Sequence, residues 1–311
     1  MARVGFSTHP AFLAHDPGGG HPESRQRLEA IVTHLQRTDV WPKLHPLTPP
    51  LATRDILQLV HPPAYLDQLE RACRSGPTAL DPDTIVSPGT WEAACRATGA
   101  VTQAISEIFA GRLDAAFCAV RPPGHHALAA QPMGFCVINH IAVGARYAQQ
   151  RHGVERVLIV DWDAHHGNGT QAIFAEDPRV LYFSTHQSPF YPGTGHGSDV
   201  GVGPGHGTTL HVPLPPGSGD AQLRHAFETQ LVPAAEAFRP QLVLISAGFD
   251  AHRDDPLAQL EATEAGYATL TQIVRGIALQ HASGRLVSML EGGYHLTALA
   301  RSVEAHLRAS L

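Results

Sequence analysis

The segment Val157-Leu-Ile-Val-Asp-Trp-Asp-Ala-His-His-Gly-Asn-Gly-Thr-Gln171 limits this chain to a narrow set of folds. Its apolar, mostly β-branched start, Val157 to Val160, stops abruptly at Asp161, Asp163, His165 and His166. A short continuous apolar run bounded by turn residues reads as a strand buried on both faces of a parallel sheet. In open α/β sheets, ligands gather outside the carboxyl ends of such strands. Two carboxylates and two imidazoles delivered together at that edge form a donor set for a hard-to-borderline metal ion.

The rest of the chain repeats the alternation of strand and helix, which predicts a parallel sheet with helices on its faces. Strands are expected at Ala2 to Ser7, Ala115 to Val120, Arg156 to Val160, Val180 to Ser184, Leu242 to Ser246 and Arg285 to Leu290. A helix is expected over His21 to Ile31, with Pro22 and Glu23 suited to its first turn. Further helices are expected at Thr53 to Leu59, Pro63 to Ser75, Thr90 to Ala110, Phe135 to Arg151, Asp220 to Ala237, Ala262 to His281 and Leu296 to Ser310. A Gly/Pro-rich loop runs from Gln187 to Gly207. Each polar cluster of interest follows a strand: after Val120, Val160, Ser184, Ser246 and Leu290. Five strand ends converging on one edge constrain the fold more than any single motif.

The 311 residues, 43% hydrophobic and 16% charged, suit one globular domain spanning residues 1–311, with no repeat or linker to divide it. A net charge of -6 argues against a general nucleic-acid binder. No apolar run approaches the ~20 residues of a membrane span. Met1 to His9 lacks the charged start and apolar core of a signal peptide. Cys73, Cys95, Cys118 and Cys136 form no Cys-x-x-Cys pair and read as buried thiols in a reducing compartment, so a cytoplasmic location is expected. Histidine, 21 residues against the single Lys43, is in excess, but a diffuse excess says little about metal.

Three clusters carry chemistry. Asp163 and His165, two apart where a strand unwinds, can face one point, and Asp250 in Ser246-Ala-Gly-Phe-Asp250 can join them from another strand end. Two Asp and one His leave a position open for water or a substrate oxygen, as in a catalytic zinc site that would also accept Fe²⁺ or Co²⁺. One such Asp alone would more often cap a helix. In Arg121-Pro-Pro-Gly-His-His-Ala127, His125 and His126 follow a rigid turn, and imidazole can move protons near neutrality. A lone His-His pair is more often a surface feature; beside the metal set it is not. In Glu291-Gly-Gly-Tyr294, Gly292 and Gly293 allow the backbone to swing Tyr294 toward a developing oxyanion, although Gly-Gly-Tyr by itself is an ordinary turn.

These segments, with Gly134-Phe-Cys136 and Pro192-Gly-Thr-Gly195, resemble the zinc-dependent histone deacetylase family, in the family's order and across nearly the whole chain. Asn168, where class I enzymes carry Asp, and His21-Pro-Glu23 resemble the class II branch, which includes bacterial deacetylase-like amidohydrolases. The resemblance implies the arginase/deacetylase fold, a mostly parallel sheet of about eight strands with helices on both faces. It implies zinc on Asp163, His165 and Asp250, and His126 as the base that activates the zinc-bound water and then protonates the leaving amine. His125 becomes its electrostatic partner, with Asp161 orienting His125 and Asn168 orienting His126. Tyr294 would polarise the amide carbonyl.

The same resemblance puts Phe135 on one wall of an acyl-lysine channel and Tyr191 on the other, with Phe190 beside it in the core. Gly134 and Gly293 border the channel, Asp83 is a rim carboxylate gripping the substrate backbone, and Leu257 stands where polyamine-preferring relatives often carry an acidic group. Potassium is implied beneath the zinc ligands, on Asp161 and Ser184 with carbonyls of Asp163, His165 and Thr185. A second potassium site would use carbonyls of Phe174, Asp177 and Val180. The expected activity is hydrolysis of N-acetyl or short N-acyl lysine, in a peptide, protein or small acyl-amine. An acetylpolyamine amidohydrolase is the alternative. A silent ligand-binding relative and a two-metal arginase-type hydrolase rank lower.

Overall fold

The computed structural model describes residues 2–311. Its strands are β1 (Val4–Ser7), β2 (His45–Leu47), β3 (Thr78–Ala79), β4 (Ile85–Val86), β5 (Ala115–Cys118), β6 (Val157–Asp161), β7 (Val180–Gln187), β8 (Thr209–Leu214), β9 (Leu242–Ala247) and β10 (Leu286–Leu290). Eight of them form one sheet in the order β2-β1-β5-β10-β9-β6-β7-β8, every neighbouring pair parallel. β3 and β4 make a small antiparallel hairpin. Every residue of β5, β6, β7, β9 and β10 is buried, as expected for strands covered on both faces.

The covering helices are α1 (Gln26–Leu35), α2 (Arg54–Leu57), α3 (Pro63–Arg74), α4 (Thr90–Phe109), α5 (His140–His152), α6 (Asn168–Phe174), α7 (Asp220–Ala226), α8 (Val232–Phe238), α9 (Glu264–His281) and α10 (Leu296–Ser310). One layer is α1, α10, α9 and α7 in succession; the other is α3, α4, α5 and α6. This is the arginase/deacetylase architecture. Among the described residues, no helix is long and apolar enough to cross a membrane.

Three expectations need correction. Pro22 and Glu23 lie in the loop before α1, because Glu23 is drawn inward to ion pairs with Arg27 and Arg121. The helix expected from Phe135 starts at His140, with the Asn139 side chain accepting the N–H of Ala142 as its cap. Ahead of it, Gly134 (φ 56°) and Phe135 (φ 68°) form a tight turn closed by the Met133 and Cys136 backbones (3.1 and 2.9 Å), a conformation no helix contains. Finally, β2 and β8 are absent from the expected strands: β2 is only three residues long, and in β8 a proline interrupts the alternation of Leu210, Val212 and Leu214 with polar neighbours. Each contains a proline (Pro46, Pro213) and forms an edge of the sheet, where a missing N–H costs least.

Candidate active site

Parallel strands point all their carboxyl ends one way, so the loops after β5, β6, β9 and β10 meet above the sheet centre. Asp163, His165 and Asp250 converge there, with one ligand atom from each lying within 4.8 Å of the others. His165 Nδ1 sits 3.0 Å from Asp163 Oδ1 and 3.0 Å from Asp250 Oδ2. Backbone N–H groups orient the carboxylates: Gly292 donates to Asp163 Oδ2 (2.8 Å) and Ala164 to Asp250 Oδ1 (2.8 Å). The approach requires glycine. A Cβ on Gly248 would stand 2.2 Å from Asp163 Oδ2, and one on Gly292 2.2 Å from Asp250 Oδ2.

All three groups are buried. Burial and the adjacent Asp163 carboxylate push Asp250 up to about 7. Burial disfavours charge on His165, but the two carboxylates outweigh it and raise His165 to about 10. Two buried carboxylates at this spacing demand a positive charge between them. The donor set, two oxygens and one nitrogen with room for a further ligand, fits a divalent cation of the zinc type.

His125 and His126 stand beside this triad on the loop after β5. His125 Nδ1 is 3.0 Å from Asp161 Oδ2, and its Nε2 is 3.9 Å from Asp163 Oδ1. Burial opposes its protonation, but Asp161 and Asp163 prevail and lift it to about 10. His126 Nδ1 is 2.8 Å from Asn168 Oδ1. Burial, then the charges of His125 and His165, hold His126 well below the ordinary histidine value. The surroundings thus favour the charged form of His125 and the neutral form of His126, whose rings are 4.1 Å apart.

A cavity of about 190 Å³ opens onto these groups, walled by His126, Phe135, His165, Tyr191, Leu257 and Tyr294, with Asp83 and Gly134 also in its lining. The Tyr191 ring meets His126 edge-on at 5.3 Å, whereas Phe190 stacks on His165 at 4.9 Å. Tyr191 is thus the wall, and Phe190 packs behind it on a candidate metal ligand. Of the expected channel glycines, Gly134 lines the cavity and Gly293 does not; Gly292 takes that place, and the Gly293 carbonyl turns away to accept Arg27 Nε at 2.6 Å. Tyr294 is held protonated, its phenol raised well above the usual value by burial and by Asp250. Burial and Asp81 raise Asp83 as well.

Several supporting residues escaped sequence reasoning, because nothing in a sequence marks an arginine or methionine as the neighbour of a site. The Arg27 guanidinium lies 5.0 Å from the Tyr294 ring centre and also binds the Glu291 carbonyl. The Glu291 carboxylate accepts the N–H groups of Gly124 (2.7 Å) and His125 (3.1 Å) and the Ser246 hydroxyl (3.1 Å). Asp255 accepts from the backbone of Tyr294 (2.7 Å), His295 (3.3 Å) and Leu257 (3.0 Å), tying two cavity loops together. Met133 Sδ accepts the Asn168 amide at 3.1 Å. His166 is buried away from the candidate metal ligands, with Thr194 Oγ1 at 2.7 Å and His211 Nε2 at 3.2 Å.

At the expected potassium sites, Asp161 and Ser184 are direct partners across β6 and β7. Their side chains already have protein partners: Asp161 has His125 and the Tyr182 hydroxyl (3.0 Å), and Ser184 has His186 Nδ1 (2.9 Å). The Phe174 and Asp177 carbonyls accept the N–H groups of Asp177 and Val180, and the Asp177 side chain is engaged by Arg146 and Arg179.

Comparison with known proteins agrees with this geometry. Residues 21–310 match the model of the histone deacetylase domain. The chain is 41% identical to histone deacetylase 14, chloroplastic, of Arabidopsis thaliana, over 100% of this chain and 77% of that protein. It is 40% identical to the histone deacetylase-like amidohydrolase of Pseudomonas aeruginosa, over 93% of this chain and 75% of the relative. A probable deacetylase of Archaeoglobus fulgidus is 38% identical, over 94% and 81%. The crystal structure of the HDA15 HD domain superposes with a TM-score of 0.94 at 37% identity, covering 99% of this chain and 88% of that one. Similarity of this extent, carried from the sheet to the site at its carboxyl edge, makes the chain a member of the histone deacetylase family and a hydrolytic enzyme.

Proposed function

We propose that the enzyme hydrolyses the amide of N-acetyl or short N-acyl lysine with the aid of zinc, releasing the short carboxylate and the free amine. The observation that carries this reading is the cavity walled by Phe135 and Tyr191 that reaches His165, a member of the Asp163, His165 and Asp250 cluster. Two aromatic walls suit a linear methylene chain and exclude water from the reacting end. Zinc bound by the three ligands would supply a Lewis acid that polarises the acyl carbonyl and acidifies water.

The chain's own residues would handle orientation and protons. Neutral His126, with Nδ1–H held by Asn168, offers Nε2 to the cavity, takes a proton from the attacking water and returns it to the departing amine. Cationic His125, anchored by Asp161, stabilises negative charge as it develops. The protonated Tyr294 phenol donates to the carbonyl oxygen. Asp83 is proposed to grip the substrate backbone at the rim, and potassium at Asp161 and Ser184 to be a structural ion, supported by their pairing across β6 and β7. Leu257 leaves that part of the rim uncharged, which favours acyl lysine over an acylpolyamine bearing a distal ammonium.

The test is a panel of acyl-lysine peptides and acetylputrescine on zinc-loaded protein. Removing one oxyanion donor costs about 10²–10³ in kcat, the loss expected for Tyr294→Phe. His126→Ala is expected to lose proton transfer and turn over slowly on every substrate. Normal turnover in His126→Ala would remove it as the base, and a strong preference for acetylputrescine would replace lysine by polyamine.

A further inference from the structure

An amide beside a catalytic imidazole raises a problem that a carboxylate does not. The two ends of the Asn168 side chain are nearly identical in shape but opposite in hydrogen-bonding sense. With Oδ1 toward His126, the imidazole carries its proton on Nδ1 and keeps the Nε2 lone pair for the cavity. With the amide turned over, Nδ2–H would donate to Nδ1, force the proton onto Nε2 and abolish the base. Asp161, beside His125, faces no such choice, because both its oxygens accept.

The outcome depends on what the far end of the Asn168 amide meets. It meets the Met133 thioether, with Nδ2 3.1 Å from Sδ, and Met133 is the sole partner of Nδ2 among the described residues. A thioether accepts and never donates. The amide nitrogen is therefore satisfied toward the sulfur, whereas a reversed amide would set oxygen lone pairs against it. Met133 is itself held in place by the paired backbone bonds to Cys136 across the Gly134-Phe135 turn, the same turn that supplies a cavity wall.

We infer that Met133 is a positioning residue that fixes the Asn168 amide and thereby selects the Nδ1–H tautomer of His126. The inference rests on the proposed role of His126 as base. It assigns a function in proton transfer to a half-buried methionine outside the lining of the cavity.

A double-mutant cycle on the zinc-loaded enzyme tests it, using an acetyl-lysine peptide. Met133→Leu removes the acceptor while preserving size, and kcat is expected to fall roughly three- to tenfold with KM unchanged, the scale of one lost hydrogen bond. In an Asn168→Asp background, where both oxygens accept, Met133→Leu is expected to have no effect. Equal losses in the two backgrounds would mean that Met133 acts only by packing, and would overturn the inference. Nuclear magnetic resonance of isotope-labelled histidine gives a second reading, with the His126 ring assigned by its absence in His126→Ala. The wild type should hold the Nδ1–H form and Met133→Leu should gain Nε2–H; unchanged tautomer populations would also overturn it. If His126→Ala is fully active, the role of His126 itself fails. If that variant is inactive while Met133→Leu loses equally in both backgrounds, only the role of Met133 fails.

Discussion

Gly134 concentrates the demands of the site in one residue. Its φ is 56°, and an added Cβ would lie 2.4 Å from His126 Cδ2. A left-handed conformation costs an L-residue about 1–2 kcal/mol, and the clash falls on the ring that must stay in register with Asn168. Gly134→Ala is expected to lower kcat about a hundredfold, the scale on which a 1 Å misplacement is felt. Melting and steady-state kinetics on the same preparation would check it; unchanged kcat would mean that the His126 ring moves aside freely. At this scale the sequence was most legible for polar residues placed just after strands. Asp163, His165, Asp250, His125, His126 and Tyr294 all stand where strand ends deliver them. Met133, Asp255 and Arg27 were not legible, because their roles depend on a turn, a backbone contact and a buried charge.

Elements were legible where an apolar pattern ran unbroken between polar or turn residues, as in α4, α10 and β9. They were misread where a side chain's long-range partner overrode local preference. Glu23 suits the first turn of a helix, yet it lies in a loop with Arg121 Nε at 2.5 Å, Arg121 Nη2 at 2.7 Å and His15 Nε2 at 3.3 Å. This cluster fastens the segment before α1 to the start of the His125-His126 loop. Burial alone would raise the Glu23 carboxyl; Arg121 and His15 outweigh it and hold it well below the ordinary range. A carboxyl depressed in the folded state stabilises the protein above its unfolded value of about 4.3, and that contribution is lost as pH falls toward the folded one. Glu23→Gln breaks a buried pair and should cost about 3–5 kcal/mol at neutral pH. Denaturant melts from neutral pH down to acid would show the difference shrinking as the wild-type carboxyl protonates. A constant difference across that range would mean that Glu23 contributes shape rather than charge.

At the scale of the molecule, the sequence indicated that several strand ends share one edge, while the order of strands along the sheet was not legible. Two strands at the sheet edges went unrecognised, but the site does not use them. It uses β6 and β9, neighbours in the sheet although β7 and β8 separate them along the chain. A metal ligated by Asp163 and His165 after β6 and by Asp250 after β9 therefore joins parts of the chain that meet only on folding. Binding to the folded state alone stabilises by mass action, about 2.7 kcal/mol when free metal is a hundred times its dissociation constant. Chelation should accordingly lower Tm by several degrees and abolish turnover, and zinc should restore both. Asp250→Asn, which removes one charge from the ligand set, should melt at a temperature that zinc hardly changes. Coincident Tm values for native and chelated wild-type protein, with activity intact, would exclude a resident metal. Loss of activity with Tm unchanged would instead mean that the three ligands are held in place by the sheet edge and its glycines whether or not metal is bound.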